Sequence, residues 1–265
     1  MYAFDYQRPA SVTDAKAALG NDARYLAGGQ SLIQAMKLRL SQSETLVDLG
    51  AIAELKGIRM EGANLVIGAM ATHASVASSA EVVKACPALA ELAGVIGDPM
   101  VRNMGTIGGS IANADPAACY PAGVLALGAT IHTNQRTIPA DAFFTGLYET
   151  ALQPGEMITA VAFPSVQKAA YVKYRQPASR FAMVGVFVAQ TPAGVRVAVT
   201  GAKGHVFRAT EIEAALAKSF TPEAAKGVKM ATTDINGDMH GSAEYRAAMI
   251  SVMASRAVAA AIARQ

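Results

Sequence analysis

The chain of 265 residues contains no tryptophan, two cysteines, four histidines and only 16% Asp, Glu, Lys and Arg. Each shortage excludes something. Cys86 and Cys119 form no C-x-x-C pair, and two thiols alone build neither an iron–sulfur cluster nor a structural zinc site. His73, His132, His205 and His240 lie far apart, with neither H-x-x-x-H nor H-x-x-E-H spacing, which argues against a metal centre. No serine stands in a G-x-S-x-G elbow, and no Ser–His–Asp set can be nominated. The formal net charge is +3 and no run of four Lys/Arg occurs, so nucleic acid is not indicated. The longest apolar stretches, such as Phe181 to Ala189, are too short to span a bilayer. The opening MYAFDYQRPAS shows no signal-peptide pattern. Free thiols fit a reducing cytoplasm.

Apolar residues are abundant, at 52%. The length suits one large domain or two ordinary ones. So few charges mean either that partner subunits cover part of the surface or that the chain is an alanine-rich, well-packed monomer. Two glycine segments stand out, Ala27-Gly28-Gly29-Gln30-Ser31 and Thr106-Ile107-Gly108-Gly109-Ser110. A Gly-Gly pair beside hydroxyl residues lets backbone N–H groups approach an anion closely. Either pair alone is equally well a tight turn. Together they suggest a diphosphate gripped from two sides. Neither fits G-x-G-x-x-G or the Walker phosphate loop.

Local signals give a coarse order. Ser11 caps a short helix that stops near Gly20. Arg24 to Ala27 reads as a strand entering the first glycine turn, Ser31 to Leu38 as the helix leaving it, and Thr45 to Leu49 as a second strand. This is a βαβ-like lobe. A second lobe follows, with strands over Asn64–Ala69, Ala129–His132 and Met157–Phe163, the last stopped by Pro164. Residues 82–97 have helical spacing interrupted by Pro87, and Pro121–Leu127 reads as a helix. Beyond a boundary near Gln167-Lys168 come three strands, Tyr171–Tyr174, Phe181–Ala189 and Val195–Thr200. Helices follow over TEIEAALA, TPEAAKGVKM and Ser242–Ala263, marking a separate α+β unit.

Several side chains carry two readings. Asn103, Asn113 and Asp115 could bond ribose or ribityl hydroxyls, or cap local turns. Arg102 could offset phosphate charge or be a solvated surface residue. Lys173 and Arg175 could flank an electron-rich ring; as edge-strand charges that discourage aggregation they are better explained. Cys86 and the twelve methionines read as core filler.

The runs AGGQSLIQAMKLRL, TLVDLG and RNMGTIGGSIANADPAA resemble the FAD-binding medium subunit of molybdenum-containing hydroxylases, the family of carbon monoxide and xanthine dehydrogenases. The resemblance extends through YVKYRQPASRFA to EYRAAMISVMASRAV. It implies an α+β chain: a two-lobed PCMH, or vanillyl-alcohol-oxidase-type, FAD-binding domain over 1–168 (lobes about 1–55 and 56–168). A small C-terminal domain over 169–265 then carries a three-stranded antiparallel sheet plus helices. By this resemblance FAD is held by Leu26, Ala27, Gly28, Gly29, Gln30, Ser31, Leu32 and Ile33, and by Thr106, Ile107, Gly108, Gly109 and Ser110. Asn113, Asp115, Ile96, Ile158 and Lys173 join them. Where relatives usually carry an Asp that bonds a flavin hydroxyl, this chain has Cys119. A thiol is a weak donor and acceptor, so the contact is weakened or lost, at a cost of about 0.5–1.5 kcal/mol unless Asp115 and Asn113 compensate.

The implied function is an oxidoreductase subunit without catalytic residues of its own for the organic substrate. Electrons from two 2Fe–2S clusters on a small partner reach FAD and leave to a quinone, NAD or oxygen. A large partner holds the molybdopterin cofactor. The implied assembly is a dimer of heterotrimers in the cytoplasm, or at a membrane through a partner. Two rival readings stand beside this one: an assembly or maturation factor that kept the fold without FAD, and a stand-alone FAD oxidase.

Overall fold

The computed structural model describes residues 1–264. The first lobe holds β1 (Asp5–Gln7), α1 (Val12–Ala17), β2 (Ala23–Leu26), α2 (Leu32–Lys37) and β3 (Thr45–Asp48). Ser11 caps α1, its hydroxyl accepting from the Asp14 N–H. β3 lies between β1 and β2 and is parallel to both. Parallel pairing requires crossovers, which α1 and α2 supply. β1, all of whose residues are exposed, was not foreseen.

The second lobe contains β4 (Ile58–Glu61), β5 (Asn64–Gly68), α3 (His73–Ser78), α4 (Ala80–Ala85), α5 (Pro87–Gly94), α6 (Pro99–Met104), α7 (Ile107–Asn113), α8 (Tyr120–Ala126), β6 (Thr130–Thr133), β7 (Thr137–Pro139), β8 (Phe144–Gly146), β9 (Glu149–Thr150) and β10 (Ile158–Phe163). An antiparallel sheet runs β4-β5-β10-β6-β7. The apolar stretch at 82–97 is broken where Pro87 cannot continue a helix, with Cys86 buried at the joint. Burial pushes that thiol up to about 11, so it stays protonated and inert. Met70 and Met157 of this lobe pack with Ala15, Val47, Ile52 and Leu55 of the first, joining the lobes through one apolar cluster.

Next come β11 (Lys168–Arg175), β12 (Ala182–Thr191), β13 (Gly194–Thr200), β14 (Phe207–Arg208), α9 (Thr210–Lys218), α10 (Pro222–Lys226) and α11 (Ala243–Ala263). The sheet has four antiparallel strands where the sequence reading gave three, because the two-residue β14 adds to β13. In TPEAAKGVKM only Pro222 to Lys226 are helical. β12 is buried on both faces. Ala170, Val184, Val186 and Val188 meet α9 and α11, while Tyr171, Phe187 and Ala189 belong to the core of the second lobe. The only described helix long and apolar enough to cross a membrane is α11, by length and composition. It packs on this sheet, with Ala247, Ile250, Ala254 and Val258 in the core.

Candidate functional site

The first glycine segment leaves the end of β2. Gly29 has φ +72°, a left-handed backbone that glycine adopts without strain. Gly28 is needed for contact: a Cβ there would stand 2.0 Å from the Met104 carbonyl oxygen. Among the described residues, the N–H groups of Gly29, Gln30, Ser31 and Leu32 have no protein acceptor. Ser31 is the N-cap of α2, yet its hydroxyl makes no capping bond. Four donors and a hydroxyl are thus left for a ligand.

The second segment corrects the sequence reading. Gly108 and Gly109 lie inside α7, not in a turn. Their N–H groups are spent within the protein: Ile107 donates to Ala71 O, Gly108 to Ala69 O and Gly109 to the Thr106 hydroxyl. A Cβ on Gly108 would meet Ala69 at 2.6 Å, and one on Gly109 would meet Ala27 at 3.3 Å. These glycines seat α7 between the strand leaving β5 and the first glycine segment. The two-sided clamp therefore has one donor-rich side and one packed side.

Both sides open on a cavity of about 440 Å³, a size ordinary for a cofactor site. Leu26, Ala27, Gly28, Gly29, Gln30, Ser31, Leu32, Ile96, Thr106, Gly108, Gly109, Ser110, Asn113, Asp115, Cys119, Ile158 and Lys173 all line it. Ile33 and Ile107 do not: Ile33 packs under Gly29, and Ile107 is fully buried in the second-lobe core. Asp115 turns out to cap locally, accepting from the Ala117 N–H at 2.8 Å and the Tyr148 hydroxyl at 3.3 Å. Arg102 meets no ligand wall; its guanidinium donates to Ile96 O and Gly97 O and shapes the bend after α5.

Lys173 departs from the edge-strand reading. β11 is an edge strand, but the ammonium turns inward to Val95 O and Arg180 O, both at 2.8 Å, and to Cys119 Sγ at 3.4 Å. Arg180, Phe181 and His73 also line the cavity and were missed, having no local motif to mark them. His73 is 5% exposed, with Nδ1 buried and unpartnered and its ring against Tyr120. Burial, aided by the Arg102 charge, pushes its pKa down to about 4, so it brings no charge to the cavity at neutral pH.

Glu156 is a further wall residue without a sequence signal. Its buried carboxylate takes two bonds from Arg136, one from the Gln153 N–H and one from the Thr133 hydroxyl. Arg136 is the main cause that holds its pKa near about 2, against burial, which opposes ionisation. A depressed folded-state pKa contributes stability that is complete above the ordinary value of 4.5 and lost as pH falls toward 2. Urea titrations across that window should show a steep acid limb in wild type. Glu156→Gln should be less stable at pH 6 and show a flattened limb; an unchanged limb would remove this carboxylate from the acid response.

Comparison with known proteins follows the same outline. The family described as "FAD binding domain in molybdopterin dehydrogenase" matches residues 2–166. The carbon monoxide dehydrogenase medium chain of Hydrogenophaga pseudoflava is 39% identical over 239 residues, 83% of each chain. The nicotine 6-hydroxylase medium subunit of Paenarthrobacter nicotinovorans is 36% identical over 83% of each. In solved structures, a chain of the reconstituted CO dehydrogenase from Oligotropha carboxidovorans superposes with TM-score 0.92 at 36% identity, over 100% of this chain and 99% of that one.

Proposed function

This chain belongs to the family of FAD-binding domains of molybdopterin dehydrogenases, and from that premise we propose that it is the FAD-carrying electron-transfer subunit of a molybdenum hydroxylase. The observation that carries the reading is the set of unpaired N–H groups from Gly29 to Leu32, beside the free Ser31 hydroxyl, on the cavity wall. Such donors suit a diphosphate. Bound FAD supplies the redox chemistry, accepting electrons from one partner and releasing them to an acceptor.

The chain's own residues do the rest. Gly28 and Gly109 bring the walls together. Ser31 and the N–H groups of the first segment bind. Asn113 and Cys119 offer side-chain contacts, and Ile96, Ile158 and Phe181 offer apolar surface to a ring. No nucleophile or general base for an organic substrate is nominated. We assign that chemistry to a large partner with a molybdopterin cofactor, and the electron source to a small partner with two 2Fe–2S clusters, in a dimer of heterotrimers. Leu38, Leu40 and Met100 stand exposed, at 71%, 78% and 80%, and are available to partners. We divide the chain near Lys168, where β11 begins, and place the complex in the cytoplasm.

The test is flavin content. The purified protein should carry about one FAD per chain, and acid precipitation should free all of it. Cys119 is the cavity-wall thiol, and its sulfur is engaged by Lys173. Yellow colour in the pellet would refute non-covalent binding. Absence of flavin would favour the maturation-factor reading, and turnover of an organic substrate by this chain alone would favour a stand-alone oxidase.

A further inference from the structure

At one end of the cavity an ammonium group is fully bonded yet not neutralised. Lys173 Nζ donates to two carbonyl oxygens and a thiol, which uses all three of its hydrogens. Among the described residues, no carboxylate forms an ion pair with it. The carboxylates on the cavity wall are engaged elsewhere: Asp115 with Ala117 and Tyr148, and Glu156 with Arg136. Tyr171, next to Cys119, stays protonated because burial raises its pKa, and His73 is neutral. A second cation, Arg180, joins the same end and donates to Gly97 O at 3.2 Å.

This end is set apart from the donor-rich glycine segment. Gly109, against Ala27, stands in the first turn of α7, and Asp115 to Cys119 follow the end of that helix. The four residue steps from Gly109 to the helix end at Asn113 put about 6 Å of helix rise between the two. Lys173 makes no hydrogen bond to the segment that suits a diphosphate; its three bonds go to Val95, Arg180 and Cys119. Around it stand Ile96 and Phe181, the apolar surroundings a flat ring requires.

We propose that Lys173, which has Cys119 rather than a carboxylate as its side-chain partner, raises the reduction potential of bound flavin. The inference rests on the FAD reading above. Two-electron reduction with uptake of one proton leaves the ring system with one extra negative charge. A fixed cation beside it favours the reduced form. The electrons come from a reduced iron–sulfur partner in the proposed complex, or from dithionite in the assay. A carboxylate at 119 would cancel the cation, whereas a neutral hydroxyl would not. Cys119 acts here as a positioning residue, through the charge state of its surroundings.

The test is a dithionite redox titration of the FAD-loaded protein, paired with sulfite affinity read from bleaching of the flavin band. Sulfite binding to flavin also places negative charge on the ring. In Cys119→Asp the ratio of reduced to oxidised flavin at a given potential should fall at least tenfold, a midpoint about 30 mV lower, and sulfite should bind at least tenfold more weakly. Cys119→Ser should stay within threefold of wild type on both readings. If Cys119→Asp takes up no FAD, Lys173→Met and Lys173→Arg decide: methionine must lower the midpoint and arginine must preserve it. Loaded variants with unmoved midpoint and sulfite affinity overturn this proposal alone. So does a Lys173→Met protein that loses FAD affinity at constant potential, which would put the ammonium on a phosphate. Wild-type protein without FAD overturns the parent reading as well.

Discussion

Gly28→Ala should leave the protein almost free of flavin, with less than a tenth of the wild-type content. The added methyl would lie 2.0 Å from Met104 O, 2.7 Å from Met104 C and 2.8 Å from Gly105 Cα. All three are backbone atoms, so no side chain can rotate away. The first glycine segment or the end of α6 must move. Overpacking of this kind costs about 1–3 kcal/mol, which lowers the melting temperature by roughly 2–12 °C in a chain of this size. The larger effect falls on the ligand, because the displaced segment carries the free N–H donors of Gly29 to Leu32. Absorbance at the flavin band per mole of protein gives the answer. Near-normal content would mean that the segment's position does not matter to binding.

Arg246→Ala should be the most destabilising single change outside the cavity. Arg246 is 5% exposed in the first turns of α11. Its Nη1 donates to Met183 O and Gly201 O, each at 2.8 Å, and its Nη2 to Asp238 at 2.6 Å. It ties α11 to the start of β12, the end of β13 and the loop before itself. Truncation strands two buried carbonyls at about 1–3 kcal/mol each. The pair with half-exposed Asp238 adds little. Thermal unfolding at pH 7 should shift down by roughly 10 °C. Arg246→Lys should recover less than half, since an ammonium lacks the guanidinium fork. A shift under 2 °C for the alanine variant would show that water replaces these bonds at no cost.

What the sequence made legible was local. Ser11 before α1, Pro164 after β10, and the turn Thr191 to Gly194 between β12 and β13 each act within a few residues, and each element stands where its signal puts it. β1 and β4 were illegible because short, largely exposed strands show no alternation. Their partners, far along the chain, decide their state. The second glycine pair was misread for a related reason. Glycine is a poor helix former, but the close approach to Ala69 and Ala27 outweighs that preference. In the cavity, the motif residues could be named in advance. His73, Glu156, Arg180 and Phe181 could not, because only the folded chain brings them to one wall.

The sheet of β11 to β14 is faced on both sides, and this limits how the protein can be cut. A fragment stopped at residue 166, the limit of the family match, would keep α5 and α8 but lose Tyr171, Phe187 and Ala189, which complete their apolar layer. Each large side chain removed from such a layer forfeits about 1.5–3 kcal/mol. The separated tail would likewise expose the opposite half of the same residues' neighbourhood. The chain should therefore melt as one cooperative body and resist limited proteolysis between β10 and β11. For the same reason, exchanging C-terminal units between relatives demands that the inner face of β11 and β12 travel with its helices.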